Sequence, residues 1–410
     1  MDFYSLTKKI LKPVTDSIGY DIAIRKKNIH THKLINLKPA HKPYGRVLLG
    51  LILEPFLLNK DDKISSRHTN EKESQEIAKI FLELGYEADV ISKLRSHYIP
   101  NKEYTFYVNL RTNFQGISEH LNPDCIKIVH LDISHWLFNN HAALKRSCDL
   151  QIRRGRTISS FRYMTENYAI EACDYATMKG NDFTMGTYKY AGKKIYRTNV
   201  PTYTTYDWPD DKNYRECRKN FLWFGSDGFV HKGLDLILEV FKNRPDLNLT
   251  VCGPIDKDPA FKKEFYNELC KTPNIVTKGW VDVDSQQFRD IVHDNTAIIF
   301  PSCAEGSNGG VITCMQAGLI PIVSVQSGVD VGPDYGLTLH DCSVAEIERK
   351  IDYISNLDAV SLKKMAEKSW EYARENHTIN TFHRQYKNAI IDIIETENQK
   401  RVEQIVYNHD

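Results

Sequence analysis

The sequence predicts an α/β protein of two domains, each a parallel sheet flanked by helices. Continuous apolar runs such as Val47-Leu48-Leu49-Gly50-Leu51-Ile52-Leu53 have the length and pattern of strands buried on both faces. These runs alternate with amphipathic helical stretches, the βα rhythm of doubly wound folds. The 410 residues also exceed what one hydrophobic core sustains, so two cores are expected.

Composition narrows the class. Hydrophobic residues make up 41% and charged residues 26%, as in a globular protein. The 54 basic side chains nearly cancel the 53 acidic ones, and no nucleic-acid motif is present, so no nucleic-acid partner is expected. Nine scattered cysteines, an odd number without zinc spacing, suit reduced thiols in a cytoplasm and give no metal site. Met1 to Lys9 lacks the apolar core of a signal peptide. The most apolar segment, Val47 to Leu58, contains Glu54 and Pro55 and is too short to span a bilayer.

Taken in order, residues 1–46 carry ten Lys or Arg against three Asp. Such an arm suits anionic headgroups on the inner face of a membrane, or is simply solvated. The first strand, Val47–Leu53, leads through a polar loop to His68-Thr69-Asn70. Asn70 with Glu73 resembles a capping box, and Ile77, Ile80, Phe81 and Leu84 then share one helical face up to Gly85. Short strands follow at 88–91, 105–109 and 126–132, the last with His130, Asp132 and His135 at its carboxyl end. Helices are expected at about 140–153 and over 165–176, with the basic knot Arg153-Arg154-Gly155-Arg156 between them. The knot reads as a solvated patch or as a contact for a phosphate-bearing acceptor. Strand returns at 194–196, and the turn-rich stretch from Val200 to Tyr214 marks the domain boundary.

The second half restarts with the strand Phe221–Phe224, the turn Gly225-Ser226-Asp227-Gly228, and Lys232-Gly233 opening a helix. Strands are expected at 247–252 and 274–280 with helices around 261–270 and 286–293. Ile298-Ile299-Phe300 then ends at Pro301-Ser302 and runs into Cys303-Ala304-Glu305-Gly306-Ser307-Asn308-Gly309-Gly310 and a helix closed by Gly318. A loop of small residues at a strand's carboxyl end, opening a helix, offers free amides and a favourable dipole to a phosphate. Glu305 in that loop is suited to sugar hydroxyls rather than to the phosphate. From Ala345 to about Ile394 the pattern is helical.

Five landmarks in order now carry a resemblance. They are Gly225 with Lys232-Gly233, Gly253-Pro254, Val276 with Gly279-Trp280, Pro301-Ser302 before Glu305-Gly306, and Met315 with Gly318 before Pro321-Ile322-Val323. Over residues 220–395 the chain resembles the donor half of GT-B glycosyltransferases, family 4 ("glycosyl transferases group 1") most closely. The resemblance implies a GT-B architecture: two Rossmann-like domains facing across a cleft, with a C-terminal helix crossing back to the first. The boundaries expected are a basic extension over 1–43, an acceptor-side domain over 44–205, a nucleotide-sugar domain over 206–380, and the returning helix over 381–410.

By the same resemblance Lys232 neutralises the donor diphosphate, Glu305 faces the hexose hydroxyls, and Gly309 and Gly310 meet the sugar–phosphate end, flanked by Ser307 and Asn308. His130 is similar in placement to a histidine facing the donor sugar; a buried structural histidine is the other reading. Asp132 and His135 fall on the acceptor side. Three departures stand out. Thr313 replaces the glutamate that holds the ribose, Ser226 replaces an arginine, leaving His231 as the neighbouring helper, and His68-Thr69-Asn70 replaces a Gly-Gly loop. The activity implied is a retaining hexosyltransferase acting on a surface glycan or lipid-linked acceptor. It would use a nucleotide sugar as co-substrate and need neither metal nor other cofactor. A catalytically silent glycan-binding or scaffolding protein of the same fold is the alternative.

Overall fold

The computed structural model describes residues 32–58, 69–95, 97–158, 162–202 and 204–407. His68 and most of the basic arm, residues 1–31, lie outside the described residues, and the side chain of Thr69 is likewise not described. Among the described residues no helix is long and apolar enough to cross a membrane.

Two sheets form. The first contains β1 (Leu34–Leu37), β2 (Gly45–Leu51), β3 (Tyr86–Ser92), β4 (Phe106–Leu110), β5 (Ile126–Leu131), β6 (Tyr175–Lys179) and β7 (Lys194–Thr198), in the order β1-β3-β2-β4-β5-β6-β7. All its pairings are parallel except β1 with β3, an antiparallel edge within the expected extension. The second contains β8 (Asn220–Phe224), β9 (Asn248–Cys252), β10 (Ile275–Gly279), β11 (Ala297–Phe300), β12 (Ile320–Ser324) and β13 (Leu337–Leu339), all parallel, in the order β10-β9-β8-β11-β12-β13. Strands such as β11, Ala-Ile-Ile-Phe, are buried at every position, as coverage of both faces requires.

Three expectations are corrected. The helix expected over 165–176 is only Ala169–Ala172, and its last two residues, 175 and 176, belong instead to β6, an interior strand. Ala, Met and Glu favour helix locally, but pairing with β5 and β7 overrides that preference. Asn70 and Glu73 do not form a capping box, because both side chains bind Lys179 at the end of β6, at 2.9 and 2.6 Å. The basic knot is solvated only in part: Arg156 is exposed, while Arg153 and Arg154 are held in ion pairs. It ends the helix Trp136–Arg154, where Arg153 pairs with Asp235 at 2.5 Å and Glu239 at 3.0 Å, and Arg154 with Glu268 at 2.7 Å. Leu150 and Ile158 join the hydrophobic core of the second half, so this helix clasps the two halves together.

The final helix, Ile379–Tyr407, returns to the first half as expected. Its Phe382, Tyr386, Ile390 and Ile393 complete one core layer of the first sheet, together with Val47 and Leu49 of β2 and Phe106 and Val108 of β4.

Candidate active site

In an open parallel sheet, ligands bind beyond the strand carboxyl ends where the strand order reverses. In the second sheet that point lies between β8 and β11, and in the first between β2 and β4. A cavity of about 410 Å³ lies there, lined from both halves. Ser226, Lys232, Glu305, Ser307, Asn308, Gly309, Gly310 and Thr313 line it from the second half, and Asn70 and Asp132 from the first. Most of the residues singled out in the sequence therefore converge on one cleft.

Lys232 is only 3% exposed and donates to Ser226 Oγ at 2.7 Å. Its loop is held by Trp223, whose indole N–H reaches the Lys232 carbonyl at 3.4 Å. Gly233 follows with φ 73°, and a β-carbon there would lie 2.6 Å from the Pro301 carbonyl, so glycine lets this turn pack on the β11 loop. Burial drives the Lys232 ammonium down to about 8, although Glu305 nearby pulls it up. His231 gives no second cation. Burial takes its pKa down to about 4, and its ring nitrogens meet the Ala304 carbonyl and the Cys303 thiol.

Glu305 sits in the loop after β11, tied down by its N–H to the Gln326 carbonyl at 2.9 Å. Burial pushes its carboxyl up, but Arg162 and Lys232 outweigh this and hold it below the usual range. Arg162 reaches it across the cleft at 3.1 Å. The next amides, at Gly309 and Gly310, open the helix Gly309–Gln316 and have no acceptor within its first turn. Asn308 caps that helix by accepting from the Val311 N–H at 3.0 Å.

The Glu305 loop is docked through its backbone on the first half. Ser134 N–H donates to the Glu305 carbonyl at 3.2 Å and Thr184 Oγ to the Gly306 carbonyl at 3.2 Å. A β-carbon at Gly306 would lie 2.2 Å from the Asp132 carbonyl, so the halves approach this closely only because residue 306 is glycine. Gly306→Ala is expected to lower kcat/KM roughly tenfold, since a misplacement of about 1 Å costs up to about a hundredfold and the loop can partly yield. Unchanged steady-state kinetics in a folded variant would show that closure does not depend on this contact.

His130 and His135 do not line the cavity. His130 is buried on β5, bonded through Nδ1 to Thr177 Oγ at 2.8 Å and packed on Tyr386. Burial and then the Lys179 charge lower its pKa to about 3. His135 caps the helix Trp136–Arg154, accepting from the Leu137 N–H at 3.3 Å, and meets Tyr190 OH at 3.0 Å. Arg111, Arg162, Met164 and Lys179 join the lining instead, as do Phe224, Trp280, Val281 and Val283. Sequence reasoning missed these. Arg111 directly follows β4, and that position at a strand's carboxyl end was its one legible signal. Arg162 belongs to a segment without regular structure and had none.

Thr313 lines the cavity, but its hydroxyl donates to the Gly309 carbonyl at 2.8 Å. Among the described lining residues the carboxylates are Asp132 and Glu305, paired to Arg111 and Arg162. Weak ribose discrimination is therefore expected: ribo- and 2′-deoxyribonucleotide sugars should bind within about tenfold of each other, the span of one neutral hydrogen bond. A much larger ribose preference that survives in Thr313→Val would place the ribose grip elsewhere.

No protein-family model matches this chain, and no curated protein does. Solved structures do match. Sucrose-phosphate synthase from Thermosynechococcus elongatus is 10% identical over 87% of this chain and 100% of its own, with a TM-score of 0.60. WaaG, a glycosyltransferase involved in lipopolysaccharide biosynthesis, is 13% identical over 84% and 99%, at 0.52. HepE from Anabaena, solved with UDP-glucose, is 12% identical over 85% and 100%, at 0.51. The chain spans 54% of the length of TarM from S. aureus, which it matches at 12% identity over 69% of this chain and a TM-score of 0.48. The fold is thus the GT-B architecture, two Rossmann-like domains facing across a cleft.

Proposed function

We propose that this chain is a nucleotide-sugar-dependent glycosyltransferase that passes a hexose, with retention, to a growing surface glycan. The observation that carries the reading is the pairing, in one cleft, of a buried lysine with a carboxylate whose loop runs into a glycine-opened helix. Lys232 and the amides of Gly309 and Gly310 suit a diphosphate, and Glu305 suits sugar hydroxyls. Phe224, Trp280, Val281 and Val283 give an apolar wall for a base. In the transfer, the acceptor hydroxyl bonds to the anomeric carbon as the bond from that carbon to the diphosphate oxygen breaks. The hydroxyl proton leaves with the diphosphate, whose growing charge Lys232 and the helix amides stabilise.

HepE is solved with UDP-glucose and WaaG serves lipopolysaccharide biosynthesis, and both support a nucleotide sugar and a glycan here. The basic arm would hold the protein on the inner face of a membrane, where a lipid-linked acceptor lies. The second reading is a silent binding protein of the same fold. It draws on the Arg162–Glu305 pair, which engages the carboxylate meant for the sugar.

A panel of nucleotide sugars screened by thermal shift tests the proposal. A cognate donor at a hundred times its Kd stabilises by about 2.7 kcal/mol. Donor binding followed by release of nucleoside diphosphate in the presence of a glycan acceptor is the expected result. Binding without release, or no binding by any nucleotide sugar, would overturn the transfer reading and favour the silent one.

A further inference from the structure

Strands β3, β4, β5 and β6 of the first half each end on or beside a charged residue at the sheet's carboxyl edge: Lys93, Arg111, Asp132 and Lys179. Arg111 and Lys179 line the cavity with Arg162 and Asp132. The hydrogen-bond inventory of this wall is lopsided. A guanidinium has five N–H donors and an ammonium three. Among the described residues, Arg111 places one terminal nitrogen on Asp132 Oδ1 at 2.6 Å, while the other faces only the Met164 thioether at 3.6 Å. Arg162 gives one nitrogen to Glu305 and keeps over a third of its side chain exposed. Lys93, half-buried behind them, makes no ion pair among the described residues. Burial lowers its pKa, and Asp132 raises it more than any other nearby group. Asp132 feels Arg111, Lys179 and Lys93, of which Lys179 already gives two of its donors to Glu73 and Asn70, so the surplus donors lie on the two arginines.

A wall with surplus donors and few acceptors binds an acceptor-rich ligand. A neutral hexose can accept from these donors through its hydroxyls, but it brings no charge to match theirs. A carboxylate or a phosphate brings acceptors alone, and an arginine fork meets either one through two parallel hydrogen bonds. We infer that the first-half wall around Arg111 and Arg162 seats an anionic group, a carboxylate or phosphate, carried by a saccharide substrate. The inference rests on the glycosyl-transfer reading and names the substrate class for it. The anion has two possible carriers, a uronic acid in the donor or a phosphate on the acceptor.

Calorimetric titration separates them. Wild type, Arg111→Gln and Arg111→Lys are each titrated with UDP, UDP-glucose and UDP-glucuronate. They are also titrated with glucose 1-phosphate and methyl glucoside, with and without UDP. Circular dichroism melts confirm that the variants fold. Wild type should favour one anionic ligand over its neutral counterpart by about tenfold or more, the worth of a charge-assisted hydrogen bond. A preference for UDP-glucuronate assigns the anion to the donor, and one for glucose 1-phosphate assigns it to the acceptor. Arg111→Gln should abolish the preference and leave UDP affinity intact, while Arg111→Lys retains part of it. Equal binding of charged and neutral ligands to wild type would overturn the inference. So would a loss of UDP affinity in Arg111→Gln as large as that of the anionic ligand, which would put Arg111 on the diphosphate. Failure of wild type to bind UDP would instead count against the nucleotide-sugar reading, and the titrations without UDP would still test the anion seat.

Discussion

Lys232→Ala is expected to lower turnover by about a hundredfold or more, the usual cost of removing one preorganised charge from a departing group. The variant should fold as well as wild type. Burial opposes the ammonium, so the folded protein carries a charge that it would hold more easily unfolded, and its loss removes that penalty. Lys232→Met, which also keeps the volume filled, should melt no lower than wild type and be as inactive as the alanine variant. The pH dependence has a definite sign. With the pKa lowered from 10.5 to about 8, the free protein loses this charge as pH rises through 8. A bound diphosphate favours the charged form, so above that pH binding takes up a proton, and affinity should fall by up to about tenfold per pH unit. Affinity for nucleoside diphosphate that stays flat from about pH 7 to 9, or near-normal turnover in Lys232→Ala, would remove Lys232 from the diphosphate site.

Glu305→Gln should separate the sugar from the nucleotide. The carboxylate is 7% exposed, near Arg162, Lys232 and Ser302, and reaches Ser302 Oγ at 3.4 Å. Replacing it by an amide keeps the shape and removes the charge. The advantage of nucleotide sugar over free nucleoside diphosphate should fall by about tenfold or more, as loss of charge-assisted hydrogen bonds predicts. Free nucleoside diphosphate should bind at least as well as before, because Arg162 and Lys232 lose a competing anion. The same loss removes a charge that keeps Lys232 protonated, so the alkaline fall in affinity should begin at lower pH. An equal loss for both ligands would make Glu305 a structural element of its loop.

Much of this was legible from residue order because it depends on local chemistry. Val47–Leu53 and Ile298–Phe300 announce buried strands by apolar continuity alone, and both form as β2 and β11. Lys232-Gly233 and Glu305 through Gly310 announce a phosphate-suited turn because glycine, a capping Asn and a helix start are sequence-adjacent. All these residues except Gly233 and Gly306 line the cavity. The final helix and its return to the first half were expected, and the structure shows the residues that make the contact, Phe382, Tyr386, Ile390 and Ile393.

What residue order could not decide was whatever joins distant positions. Tyr175 and Ala176, the start of β6, read as the end of a helix until β5 and β7 flank them. Asn70 and Glu73 read as a cap until Lys179, more than a hundred residues away, takes both side chains. Arg162 carries no motif and becomes a wall of the site only because the helix Trp136–Arg154 clasps the second half and brings the cleft edges together. His130 lies in the right strand, yet the side of the sheet it faces is covered by the returning helix, which buries it against Tyr386. The two parallel sheets and the second half's share of the site follow from residue order, because strand burial, glycine turns and helix starts are set by neighbours in the chain. Of the first half's share, Asn70 and Asp132 were also named from residue order, while Arg111, Arg162 and Lys179 follow from packing, because a charge at a strand end or in a loop acquires a role only from the charges that other elements place beside it.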